Sequence, residues 1–231
     1  MNDTRTASRS RLNTFVDAAF AVAISMLVIS VGKVPANFTE LVEALKASPS
    51  FLVGFVMLAV FWCGHRRWSR HFDTQDSWGT ILSLGVVFVM LVYVYPLRLL
   101  ASSSFSFFTG GWISSEYLVK DVAEITDLMA IYGIGFSLLS GLTALLFQHS
   151  IKRAKELNLT PEMETSAHGE FLAWTTLTAT GVVSVLFAWL APLPASTFAL
   201  FAYAPLPILV PFVSKRYARK STAAKPKPNP S

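Results

Sequence analysis

Asp17 is an ionisable side chain inside a stretch, residues 12–32, that is otherwise uncharged. A carboxylate within a membrane span is costly and by default marks a functional device. In a dry setting it needs hydrogen-bond donors. The second apolar stretch ends in Phe61-Trp62-Cys63-Gly64-His65-Arg66-Arg67-Trp68. Trp62 and His65, three residues apart, share a helix face and both carry N–H groups. Asp17, His65 and Trp62 therefore read as a polar clamp tying the first helix to the second. They read equally well as an acid flanked by ordinary interface anchors. A third chemistry is a proton relay between Asp17 and His65, as intramembrane acids provide in carriers.

The other titratable groups offer less. Asp121, Glu124 and Asp127 read as a solvated helix start, and His149 and His168 as interfacial, solvent-exposed side chains. His65 and His71 flank basic residues, with Asp73 nearby, a pattern too sparse for an active site. Cys63 is the single cysteine, which rules out an intrachain disulfide and a thiolate metal site. No catalytic residue, no metal and no cofactor are expected, and the chain does not read as an enzyme.

The elements that must position Asp17 are membrane helices. Apolar residues make up 53% of the 231-residue chain and charged ones 14%, against about 25% charged in soluble domains. Mean hydropathy is +0.50. About 20 apolar residues cross a bilayer as a helix. The uncharged runs predict an all-α, polytopic integral membrane protein with six spans, at 12–32, 47–68, 77–98, 126–150, 170–191 and 195–214. The last two share one charge-free run, divided at Ala191-Pro192-Leu193-Pro194. Pro205, Pro207 and Pro211 distort the sixth. A short amphipathic outer helix is expected at 37–46 and an interfacial connector at 102–120. Residues 1–220 read as one membrane domain and 221–231 as a disordered basic tail.

The net charge of +5 does not point to nucleic acid, because the basic residues follow the loops. Arg5, Arg9, Arg11, Arg66, Arg67, Arg70, Lys152, Arg153, Lys155 and the six Lys and Arg of 215–227 fall on one side, 15 in all. Lys33, Lys46, Arg98 and Lys120 are the four on the other. This bias puts both termini in the cytoplasm. The basic tail also suits anionic membrane lipids.

Helical phase then separates the faces of the first span. At about 100° per residue, Phe15, Ala18, Val22, Met26 and Ile29 form one stripe, with Ser25 at its edge. Asp17 points about 140° away from Val22. Arg11 lies roughly 120° round from Asp17, so the two pair only between helices or subunits. Taken alone, such a stripe is more often a packing face than a lining.

The pattern Arg11-x-x-x-Phe15-x-Asp17 resembles the R-x-x-x-F-S-D signature of the endolysosomal potassium channel family and its prokaryotic homologues. Val34-Pro35 after the first helix, Phe61-Trp62-x-x-His65 in the second and Pro96 in the third are similar to the same family. The resemblance implies a potassium-permeable cation channel of the prokaryotic plasma membrane. It implies a homotetramer with the pore lined by helix one and K⁺ as permeant ion. It places the constriction at Val22, Met26 and Ile29 with a hydroxyl at Ser25. It makes Arg11, Phe15, Asp17, Trp62 and His65 the structural motif. No TVGYG filter occurs, as in the family. The chain departs from the pattern at Val16, where the motif has Ser, and at Arg66, where a second His is usual. Gly85 stands where Asn is common, and Val22 where Ile or Leu is usual. The shorter Val predicts a wider, less selective ring. A proton-coupled secondary transporter and a non-conducting accessory protein are the alternatives.

Overall fold

Local caps decide where the helices begin and end. The computed structural model describes residues 2–29, 35–72, 76–113, 121–192 and 203. These form α1 (Asn2–Ile29), α2 (Phe38–Lys46), α3 (Ser48–His71), α4 (Ser77–Phe108), α5 (Val122–Lys152) and α6 (Pro161–Leu190). Asn37 caps α2 by accepting from the Glu40 N–H, and Glu40 reaches back to the Ala36 N–H at 2.8 Å. This reciprocal pair satisfies donors that a short helix cannot satisfy itself. Asp76, Asp121 and Thr160 cap α4, α5 and α6 in the same way, through the N–H groups of Gly79, Glu124 and Met163.

Several helices run longer than the spans read from the sequence. α4 continues ten residues past 98, through part of the expected connector. There Ser104 turns its hydroxyl onto the Leu100 carbonyl at 2.7 Å. It stops where Gly110 and Gly111 take positive φ and the Gly111 N–H returns to the Ser106 carbonyl. α6 begins at Pro161, nine residues ahead of the expected 170, because Thr160-Pro161 is a strong start signal. The expected outer helix at 37–46 is α2. The sixth span at 195–214 and the tail at 221–231 lie outside the described residues, Tyr203 excepted.

Five of the helices, all but α2, are long and apolar enough to cross a membrane. α4 touches α1, α3 and α5, and α5 packs most extensively on α6. Small residues permit the α5–α6 approach. A Cβ on Gly181 would stand 2.3 Å from Ser137 Oγ, and one on Gly133 would stand 3.3 Å from the Gly181 carbonyl oxygen. The buried core runs through Phe20, Phe61, Met90, Tyr93, Phe136 and Trp174.

Candidate functional site

α1 has two unlike faces. Val16, Phe20, Ala23 and Leu27 are buried against the helices around it. The opposite face leaves Phe15, Ala18, Ala21, Val22, Ser25 and Val28 exposed, Val22 by 53%. Helical phase centres this open face near Ala18 and Ser25, with Val22 to one side and Asp17 at the other edge. Met26 is half-buried and packs against the core, so it sits on the flank. The Ile29 side chain lies outside the described residues. Ser25 donates its hydroxyl proton to the Ala21 carbonyl at 2.9 Å.

α3 supplies the polar contacts that hold the bundle. Trp62 donates Nε1–H to Asp17 Oδ1 on α1 at 2.8 Å. His65 does not join them. It is buried, and its Nε2 lies 3.0 Å from Ser83 Oγ on α4. Arg67 pairs with Glu170 on α6, whose other oxygen accepts from Trp174 Nε1 at 3.2 Å. Trp68 donates to Ser150 Oγ on α5 at 2.9 Å. Thus one end of α3 reaches four other helices through four side chains within seven residues. Each indole or imidazole presents an apolar body and a polar tip, which suits it to a dry helix–helix contact. Between these tips, Gly64 lets the Trp174 ring lie against the α3 backbone, where a Cβ would come within 2.2 Å.

No ion pair joins Arg11, which is exposed, to Asp17 among the described residues. Phe15 faces the open side of α1. Val16, in the position of the motif serine, is fully buried. Sequence reasoning missed Ser83, Ser150 and Glu170, and noted Arg66 only in the charge bias and as a departure from the family pattern. The first three are ordinary surface types whose role depends on which helices are neighbours. Arg66 carried a signal: it stands four residues after Trp62, one helical turn away. Its guanidinium lies over the Trp62 ring, 4.7 Å from the centroid.

A second polar cluster joins the start of α4 to the end of α5. Asp76 Oδ2 accepts from His149 Nε2 at 2.5 Å and from Arg153 at 3.1 Å. His149 is therefore half-buried and paired rather than solvent-exposed, because these two helix ends meet. Burial pushes the Asp76 carboxyl up, but the Gly79 N–H, His149 and Arg153 together outweigh it and hold it below the usual carboxylate range. The hydrogen bond to Glu156 raises Arg153 further above its ordinary value. Among the described residues, no group of three or more His, Cys, Asp or Glu side chains converges as a metal site.

Long apolar helices stitched by sparse polar contacts define an integral membrane protein of the polytopic kind. The family model described as the endosomal/lysosomal potassium channel TMEM175 matches residues 11–96, from the motif arginine to the proline of α4. A protein named potassium channel from Marivirga tractuosa is 25% identical over 227 residues, covering 94% of this chain and 92% of its own. The crystal structure of a variant of the potassium channel MtTMEM175, in complex with a nanobody fusion, shares the fold at a TM-score of 0.74. It is 24% identical, and the match covers 92% of this chain and 93% of that one. A lysosomal potassium-selective channel TMEM175 homolog from Chamaesiphon minutus matches at a TM-score of 0.60 and 18% identity, covering 91% and 98%. Residues 11–96 thus match the TMEM175 family model, and over most of its length the chain is similar to bacterial proteins named as potassium channels.

Proposed function

We propose that the protein is a potassium-permeable cation channel in which four copies bring α1 together around a central path. The observation that carries this reading is the bareness of α1. Only 22% of its apolar window is buried within the protomer, against 56% for α5. In a membrane such a face lies against lipid or against copies of the chain, and a symmetric assembly about α1 closes it. The relatives, which are named as potassium channels, support the permeant ion.

In this arrangement four Val22 side chains form an apolar ring that ions pass only when it is wide enough to stay wet. Ser25, whose proton is engaged by Ala21, turns lone pairs toward the path one turn on. Met26 flanks the ring and Ile29 continues it. No carbonyl cage is involved. Selectivity arises from the cost of stripping water at the ring, which disfavours the smaller, more strongly hydrated Na⁺. Asp17 serves as the anchor that sets the rotation of α1 through Trp62. Both termini face the cytoplasm of a prokaryotic plasma membrane, by the distribution of Lys and Arg. The carrier reading draws no support from the site, since Asp17 and His65 make separate bonds. Passive conduction requires no catalytic group, so the protein acts as a channel and not as an enzyme.

Reconstitution into liposomes tests the reading. The wild type is expected to pass K⁺ in preference to Na⁺. Val22→Asn is expected to raise flux and erode that preference, because a polar ring stays wet. Unchanged flux and selectivity would remove Val22 from the constriction.

A further inference from the structure

The charge of Asp17 stands apart from every described Lys and Arg, none of which forms an ion pair with it. Val16 beside it brings no hydroxyl and is buried. His65 is committed to Ser83. What Asp17 has is the Trp62 N–H at 2.8 Å, and Trp62 in turn lies under the Arg66 guanidinium, 4.7 Å from the ring centroid. Cation, indole and carboxylate thus stand in one series.

Each link has a physical consequence. A guanidinium over an indole face is attracted by the ring quadrupole. It fixes the plane of the ring and so the direction in which the N–H points. Hydrogen bonds in such a chain polarise one another, so a cation on the face makes the N–H a stronger donor. The positive charge stands over the face of the same ring whose edge N–H meets Asp17. Trp62 and Arg66 are i,i+4 neighbours on α3, so the pair is built within a single helix and waits for Asp17 to dock.

We propose that Arg66 is a positioning residue for ion selection. By fixing Trp62 and balancing Asp17, it sets the rotation of α1 and hence the width of the ring at Val22. The inference rests on the channel reading above. It also says how this chain holds its first helix with valine in place of the motif serine.

The test uses the full-length protein as wild type, Arg66→Gln, Arg66→Lys, Asp17→Asn, and Arg66→Gln with Asp17→Asn. The readouts are the K⁺/Na⁺ flux ratio in liposomes and the thermal midpoint in detergent. Arg66→Gln is expected to lower the ratio about 2- to 5-fold, the range of an exposed cation–π contact. Arg66→Lys is expected to restore most of it. In the Asp17→Asn background, Arg66→Gln is expected to shift neither readout further. A ratio unmoved by Arg66→Gln, no rescue by Lys, or the same loss in both backgrounds overturns the proposal. If the wild type passes no K⁺, the channel reading fails first, and selection by Arg66 fails with it. The series itself then stands on non-additive midpoint shifts and falls on additive ones.

Discussion

Asp17 changes meaning once its neighbours are known. An isolated carboxylate in an apolar helix suggests an ion site, yet here it sits at the edge of the open face of α1 and accepts from Trp62 on α3. That bond joins α1 to α3, and the proposal gives Asp17 the part of an anchor. Trp62→Phe keeps an aromatic ring, though a smaller one, and removes the N–H. It is expected to destabilise the protein by about 1.5–3 kcal/mol, the cost of a lost bond to a charged group, read as a lower thermal midpoint in detergent. An unchanged midpoint would mean that the bond contributes nothing to the fold. Much of this was legible beforehand. The charge-free run around Asp17 and the spacing of Trp62 and His65 drew attention to the right side chains. Their partners were not legible, because His65 chooses Ser83 only once α4 is packed beside α3. The phase of α1 was nearly readable too, but Met26 turns out to lie on the flank of the open face.

At the scale of elements, α3 organises the bundle through one polar end. Trp62, His65, Arg67 and Trp68 reach α1, α4, α6 and α5 in turn. This explains why so few polar residues suffice in a chain this apolar. Gly64 sits between them, and its missing side chain is the space that Trp174 fills. Gly64→Ala is expected to cost about 1–3 kcal/mol through overpacking, although alanine is the better helix former. Gly169→Ala on α6, where nothing lies within 4 Å of the added carbon, is expected to be neutral or stabilising. Equal effects at the two sites, compared by thermal midpoint, would contradict the close approach of α3 and α6. The existence of the five long helices among the described residues was readable from uncharged runs, whereas their ends were not. α4 and α6 extend into polar sequence because their caps, Asp76 with Gly110 and Thr160 with Pro161, fix the boundaries. Hydropathy sees the membrane slab and is blind to the helix that continues beyond it.

For the whole molecule, the bare face of α1 is the feature that a single protomer does not explain. A membrane helix with one face in the core and the other uncovered lies against lipid or against its own copies. The proposal chooses the copies, with Val22 and Ser25 toward the axis. Cysteine accessibility during conduction tests that choice most directly. In a Cys63→Ser background, needed because Cys63 is exposed, Val22→Cys and Ala23→Cys are reconstituted separately. K⁺ flux is followed before and after a small cationic thiol reagent. The account predicts that flux through Val22→Cys is blocked while flux through Ala23→Cys, a buried position, is untouched. Block at Ala23→Cys with none at Val22→Cys, or no effect at either while K⁺ still flows, would contradict it.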